Sequence, residues 1–209
     1  MIIFIKDLTF NYISVADKTI IEYNVIFYTL HFNIKRRLLY LAFGAVAFLI
    51  AYSAGATINM SKKEAEDLKG QFAKQIVGID QNGIFINNVK VALGMFIPGI
   101  GTGIGIFSGI STGMVFSAMA ETSPFLSNVQ PLIILLTPFG IMEVFAYGLA
   151  MSRSGMLIYQ LAKKKPWREY AIHTLIEIGI VVVVLFAGAV IEWQLIQQFS
   201  RLSNNRPIV

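Results

Sequence analysis

The sequence predicts an all-α membrane protein: a bundle of about five transmembrane helices with a Gly-rich hairpin of short helices and an N-terminal amphipathic helix. Three observations lead to this fold class. Hydrophobic residues make up 56% of the 209 residues and charged residues only 14%, whereas a soluble domain carries about 25% charged residues. Several apolar segments approach the roughly 20 residues needed to cross a hydrocarbon core of about 30 Å. In one of them glycine recurs at every fourth position, at Gly101, Gly105, Gly109 and Gly113.

The formal net charge of +5 does not indicate nucleic-acid binding. The lysines and arginines lie mostly in clusters that flank apolar segments, which is typical of contact with lipid headgroups. Cysteine is absent, so disulfides, cysteine nucleophiles and cysteine-bound metals are excluded. The two histidines are too few for a histidine metal site. We therefore expect no metal and no cofactor.

The N-terminal segment, residues 1–37, mixes charged, aromatic and β-branched residues at roughly helical spacing, which favours an amphipathic helix at the membrane surface or against the bundle. Lys6 and Asp7 end its first apolar stretch, and no cleavage site follows, so we expect no signal peptide. A transmembrane domain is predicted at 38–200 and a polar tail at 201–209. The predicted spans are 38–58, 84–100, 102–120, 130–151 and 171–196.

The sizeable polar connection at residues 59–82 follows the first span. Ser61 and Glu64 have the spacing of a capping box, in which the two side chains hydrogen-bond each other's backbone N–H groups. This pattern predicts a short, solvent-facing helix over 62–77.

The basic residues predict the orientation of the chain. Five precede the first span and five lie between the last two: Lys6, Lys18, Lys35, Arg36 and Arg37, then Arg153, Lys163, Lys164, Lys165 and Arg168. Because basic loops stay in the cytoplasm, an even number of crossings separates the two sets. Residues 83–120 therefore cross twice or re-enter, and we favour two short helices. The N-terminus is predicted to be cytoplasmic and the C-terminus to lie outside.

The four regularly spaced glycines, called here the glycine stripe, lie on one face of a helix, as in a glycine zipper. A second helix can approach such a face closely. We expect the segment around Glu143 to be that helix, so Gly105→Leu or Gly109→Leu should disrupt folding of the monomer. A nucleotide site is excluded, because no Gly-Lys-Ser/Thr and no downstream acidic ribose partner accompany the glycines.

Glu143 is the charged residue of the fourth predicted span. A carboxylate in the membrane interior costs on the order of 3 kcal/mol on insertion scales, so it must be neutral, paired or hydrated. Lys90 is an available cation in the preceding hairpin, and Asn87 and Asn88 offer hydrogen bonds. We interpret Glu143 as a buried polar contact that sets helix register. An ion or proton pathway is the alternative.

The same span contains Pro138 and Gly140, and the proline is expected to kink it. Together with Asn87-Asn88 and the Gly-rich hairpin, the segment Pro-Phe-Gly-Ile-Met-Glu ending at Glu143 resembles the stage II sporulation protein M family over roughly residues 35–200. Members typically carry an asparagine-containing helix, a Gly-rich hairpin and a Pro-His-Gly-x-x-Glu segment.

The resemblance implies a multi-spanning membrane fold. The family's usual histidine corresponds to Phe139, so a His–Glu pair is absent here, which favours a structural role for Glu143. In endospore formers the family is similar to scaffolds that hold cell-wall hydrolases during engulfment.

Two functions fit these features. The first is a non-catalytic scaffold or accessory subunit in the cell membrane. It would contact lipid and bind other integral membrane proteins through its Gly-rich faces, as a hetero-complex or a homo-oligomer. The constellation expected of an enzyme active site is missing. The second is a small transporter or channel in which Glu143, Lys90 and the asparagines line a polar path.

Overall fold

The computed structural model describes residues 34–76, 78–123, 126–164 and 167–204, and the regular structure in these ranges is helical throughout. Of the predicted amphipathic segment 1–37, residues 1–33 lie outside the described residues, as do 205–209 of the predicted tail. The elements are α1 Ile34–Ala56, α2 Lys62–Ile76, α3 Gln81–Met95, α4 Gly101–Thr122, a 3₁₀ turn at Leu126–Asn128, α5 Pro131–Leu135, α6 Pro138–Ala162 and α7 Trp167–Asn204.

The chain divides into two compact units, residues 1–40 and 41–209. In the first unit the structure describes residues 34–40, which belong to α1. In the second, the rest of α1 and helices α2 to α7 share a core of apolar and small side chains. Its fully buried members include Tyr52, Ala92, Met95, Ala146, Ala150, Met151, Val181 and Leu185.

The outward surface of the second unit is apolar as well. Phe107 on α4, Leu136 before α6, and Leu175 and Val183 on α7 are each more than 60% exposed. A bundle that is apolar both inside and outside is typical of a protein surrounded by lipid.

The all-helical fold class is confirmed, whereas the predicted count of about five spans is not. Among the described residues, three helices are long and apolar enough to cross a membrane: Ile34–Ala56, Gly101–Thr122, and Tyr170–Gln198 within α7. Helix α3 has 15 residues, about 22 Å at 1.5 Å per residue, which is shorter than a hydrocarbon core of about 30 Å. Helix α6 has 25 residues but carries Glu143 and Arg153, which lower its hydropathy.

The predicted span 130–151 is wrong in two respects. It is broken into α5 and α6, and α6 continues to Ala162. Pro138 is the first residue of α6, a position where its missing N–H costs nothing. The Thr137 hydroxyl caps the helix by accepting from the N–H of Gly140 at 3.2 Å. Pro138 therefore begins a helix and does not kink one.

The ends of α1 and α7 also differ from the predicted bounds 38–58 and 171–196. Helix α1 includes Ile34 and the basic cluster at 35–37, because lysine and arginine are good helix formers and a helix need not stop at the membrane surface. Helix α7 runs to Asn204, so the predicted polar tail at 201–209 begins inside a helix. No glycine or proline interrupts α7 after Gly188.

Helix α2 begins with the capping box that its sequence predicts. The backbone N–H of Ser61 donates to Glu64 Oε2 at 2.9 Å, and the N–H of Glu64 donates to Ser61 Oγ at 3.4 Å. Asp80 caps α3 in a similar way, with its Oδ1 accepting from the N–H of Gly83 at 2.8 Å. Helix α2 packs against α4, which brings charged side chains next to one end of the Gly-rich helix.

Candidate functional site

Glu143 lies in the second turn of α6, partly buried, and it contacts α3. Asn88 Nδ2 donates a hydrogen bond to Glu143 Oε1 at 2.6 Å. The geometry thus brings together two of the residues singled out in the sequence, which lie 55 positions apart. An amide hydrogen bond holds the carboxylate in place without neutralising it.

Two further polar side chains lie close to Glu143. Glu192 on α7 is near enough to interact with it electrostatically. Tyr147, one turn further along α6, is 5% exposed and interacts with both carboxylates. Its ring packs against Phe48 of α1 with centroids 5.2 Å apart. We call Asn88, Glu143, Tyr147 and Glu192 the carboxylate cluster.

Lys90 and Asn87 are not part of this cluster. Both side chains are exposed on α3, on other faces of the helix than Asn88. The polar path predicted from Glu143 and Lys90 is therefore not assembled in this conformation. The charged side chain that interacts with Glu143 is thus a second carboxylate, Glu192, and not the cation that the sequence suggested.

A second buried polar contact joins α6 to α7. Arg153 and Glu177 are 4% and 8% exposed and form a bidentate ion pair. Arg153 Nε donates to Glu177 Oε2 at 2.7 Å, and Arg153 Nη2 donates to Glu177 Oε1. The inclusion of Arg153 in the basic loop is thus wrong, because α6 continues past it and Glu177 compensates its charge.

The sequence contained a signal for this pair that periodicity alone did not reveal. Arg153 and Glu177 lie about equally far in sequence from the basic segment that joins α6 to α7. In an antiparallel hairpin, residues at equal distances from the turn meet, so an arginine and a glutamate at such positions in apolar segments predict an ion pair. The other four basic residues of that set still make the segment between α6 and α7 positively charged. The orientation that the positive-inside rule predicts is therefore unchanged.

The glycine stripe is buried along its whole length, and it faces three different helices. A Cβ at Gly101 would overlap the carbonyl oxygen of Met95 at the end of α3 and lie 2.8 Å from Ser154 Oγ on α6, and one at Gly105 would overlap the Met151 side chain, also on α6. A Cβ at Gly109 would lie 3.0 Å from Ala51 Cβ, and one at Gly113 would lie 2.6 Å from the backbone nitrogen of Ala56, both on α1.

Glycines on the partner helices make further close approaches. A Cβ at Gly44 of α1 would overlap the carbonyl oxygen of Gly148 on α6, and one at Gly55 would overlap that of Ile110 on α4. Gly140 allows α5 to approach α6, since a Cβ there would lie 2.8 Å from the carbonyl oxygen of Ile134. These glycines hold α1, α4, α5 and α6 in contact within one chain.

A pocket of about 370 Å³ lies between α2 and α4, away from the carboxylate cluster. Its lining combines apolar and acidic side chains, including Met60, Leu68, Met114, Glu64 and Asp67. In the part of the chain that the structure describes, no three histidine, aspartate or glutamate side chains form a group that could hold a metal ion.

These features define a helical integral membrane protein whose closely packed helices are joined by polar contacts, among them Asn88–Glu143 and Arg153–Glu177. The family model for stage II sporulation protein M (SpoIIM) matches residues 26–195. The chain belongs to this family, as its asparagine helix, Gly-rich hairpin and Pro-x-Gly-x-x-Glu segment predicted. No curated protein and no solved structure matches it.

Proposed function

We propose that the protein is a non-catalytic scaffold or accessory subunit that binds other integral membrane proteins. The main support is the way its polar groups are used. The Asn88–Glu143 and Arg153–Glu177 contacts join helices of the same chain, while large apolar side chains point outward. Among the described residues, such a bundle offers packing surfaces and no side-chain constellation for a reaction.

The partner surface is the outward face of the bundle and not the glycine stripe. All four stripe glycines are buried against α1, α3 and α6, so no partner helix has access to them. On α4 the opposite face carries Phe107, which is 72% exposed. Association in lipid relies on van der Waals packing of such faces.

The proposed orientation places the N-terminus in the cytoplasm and the C-terminus outside. Lys163 and Lys164 are exposed at the turn between α6 and α7, and the positive-inside rule assigns this turn to the cytoplasm. Helix α2 then lies on the outer side, where a scaffold could also meet extracytoplasmic domains.

The test is native mass spectrometry of the tagged full-length chain extracted from its own membranes in mild detergent. We expect a second membrane protein in fixed stoichiometry, lost in Phe107→Ala and retained in Gly103→Ala, a change on the same helix at a glycine where an added methyl group would meet no atom within 4 Å. A monomer that survives extraction alone would contradict the proposal. So would hydrolysis of a lipid or peptide by the purified chain that Glu143→Gln abolishes.

The carboxylate cluster supports a second candidate, a small transporter for protons or cations. Two carboxylates from different helices interact within an apolar bundle, and intramembrane carboxylates are common in proton and ion pathways. Ion or proton flux into vesicles that contain the purified chain should then vanish in Glu143→Ala and persist in Glu121→Ala, which removes an exposed carboxylate on α4. Flux equal to that of empty vesicles would exclude this candidate.

A further inference from the structure

The turn between α3 and α4 is apolar and carries no charge. Residues 91–120 contain no lysine, arginine, aspartate or glutamate. At the turn, Ile97 is 45% exposed and Ile100 is 60% exposed, and Pro98 and Gly99 between them are also exposed. Short cytoplasmic loops of membrane proteins are usually rich in lysine and arginine, as the turn between α6 and α7 is.

A hydrogen bond shows how deep this turn lies along the bundle. Ser154 Oγ, on α6, donates to the carbonyl oxygen of Ile97 at 2.7 Å. Helix α6 continues from Ser154 to Ala162, about 12 Å further at 1.5 Å per residue. The turn therefore ends well short of the exposed Lys163.

The extra length of α6 and α7 beyond this level carries several large apolar side chains that face outward, together with polar residues such as His173. Ile158 and Leu161 on α6, and Ile172, Leu175 and Ile176 on α7, are between 43% and 67% exposed. Side chains of this kind are stable when lipid chains surround them. The turn between α3 and α4 thus lies at a level where its neighbours face hydrocarbon.

Helix α4 as a whole is long enough to cross a membrane, but its far end lies beside the charged helix α2, which shortens the part of α4 that can lie in hydrocarbon. Met114 of α4 already lines a pocket together with Glu64 and Asp67 of the charged helix α2. From Gly101 to Met114 the helix rises about 20 Å, which is less than the hydrocarbon thickness of about 30 Å. Helix α3 is also shorter than this thickness.

The backbone of the turn is adapted to a site without water. Irregular backbone inside a membrane needs internal hydrogen bonds, often from serine or threonine. The carbonyl of Ile97 accepts from Ser154 Oγ and from the N–H of Gly101, the latter at 2.9 Å, and the N–H of Phe96 donates to the carbonyl of Leu93 at 3.1 Å. Gly99 closes the turn with a φ of +91°.

We propose that α3 and α4 form a re-entrant hairpin that enters the bilayer from the side of α2 and turns back inside it, with Ile97 and Ile100 in contact with lipid acyl chains. The crossings between the two basic clusters are then α1 and α6, an even number, as the positive-inside rule requires. The inference is independent of the proposed scaffold function.

The absence of cysteine from the sequence makes a spin-label test direct. A nitroxide is attached to Ile100→Cys in the full-length chain, reconstituted in phosphatidylcholine vesicles, and its collisions with oxygen and with a water-soluble nickel chelate are measured. Val183→Cys, on the lipid-facing side of α7, and Lys163→Cys, at the exposed turn, are the references. We expect the oxygen-to-nickel ratio at position 100 to resemble that at position 183.

Two results would overturn the proposal. A ratio like that at position 163 places the turn in water, so that α3 and α4 both cross the membrane. Low collision rates with both reagents mean that protein covers the turn. Ile97→Cys repeats the measurement at a second exposed side chain, in case Ile100→Cys does not fold.

Discussion

Two charged side chains of α6, Arg153 and Glu143, are accommodated between helices in different ways. Arg153 and Glu143 are ten residues apart on one helix, about 15 Å along its axis. Arg153 is compensated by the opposite charge of Glu177, through two hydrogen bonds. Glu143 is held by the neutral amide of Asn88 and lies near a second carboxylate, Glu192.

This difference predicts which substitutions each contact tolerates. An ion pair in an apolar environment is stable as a unit, and loss of either partner leaves a buried charge without compensation. A carboxylate held by an amide needs a hydrogen bond and not a charge, so a neutral side chain of the same shape can replace it. We expect the Arg153–Glu177 ion pair to fix the register of α6 against α7. We expect the Asn88–Glu143 contact to be sensitive to protons or cations.

The largest expected effect is the loss of one partner of the ion pair. Arg153→Met removes the positive charge that compensates the buried Glu177, and breaking a buried pair in this way costs about 3 to 5 kcal/mol. Unfolding by a denaturing detergent, followed by far-UV circular dichroism, measures the change in the free energy of unfolding. The contact between α6 and α7 should also become less well ordered in this variant.

The double variant Arg153→Met with Glu177→Leu is the matched control. Replacing a buried ion pair with apolar side chains of similar size is often neutral or stabilising, so the double variant should recover most of the loss. If it is as unstable as Arg153→Met, packing at position 153 and not charge pairing determines the effect.

The next largest effect concerns the close packing of the glycines of α4, which does not depend on polar pairs. In Gly113→Ala the new methyl group would lie 2.6 Å from the backbone nitrogen of Ala56, and such overpacking costs about 1 to 3 kcal/mol. Gly103→Ala, on the same helix, meets nothing within 4 Å, and alanine is favoured over glycine in a helix by about 1 kcal/mol. The same unfolding assay should therefore give opposite signs for the two variants. Equal effects would mean that α1 is not in close contact with α4.

A smaller effect is expected at the carboxylate cluster. Glu143→Gln keeps an oxygen that accepts from Asn88 and removes the repulsion from Glu192, so the free energy of unfolding should change by less than about 1 kcal/mol. Glu177→Gln, the same chemical change at the other contact, should cost several times more because it removes the negative charge that compensates Arg153. Similar losses in both variants would show that Glu143 is compensated by a positive charge.

The sequence predicted the parts of the fold that depend on local signals. Ser61 and Glu64 located the start of α2, and the four-residue spacing of glycines located a close helix contact. The Pro-x-Gly-x-x-Glu segment indicated the family. Each of these patterns is complete within a few residues, so no knowledge of distant contacts was needed.

The ion pair and the helix ends depend on contacts between distant residues. Arg153 resembled a loop residue because an isolated charge is unfavourable in a span, and only its proximity to Glu177 explains its burial. Pro138 resembled a kink because a proline at the start of α6 cannot be distinguished from one inside a helix until the end of α5 is known. Lys90 was assigned to Glu143 by charge, whereas its position on α3 directs it away from Asn88.

The smallest expected effect concerns Glu64, a carboxylate outside the apolar spans. Its surroundings are exposed to solvent, unlike those of Arg153 and Glu143. Hydrogen bonds from the side chain and the backbone N–H of Ser61 lower the pKa of Glu64 below its ordinary value. A carboxyl group whose pKa is lower in the folded state stabilises that state above the unfolded pKa, and the contribution is lost as the pH falls through the folded value. The start of α2 should therefore exchange its amide hydrogens faster below about pH 4.3, the usual glutamate pKa, after correction for the intrinsic rate.

In Glu64→Gln this pH dependence should disappear, whereas Glu66→Gln, which removes an exposed charge of the same helix without touching Ser61, should retain it. Persistence of the pH dependence in Glu64→Gln would assign it to another carboxylate.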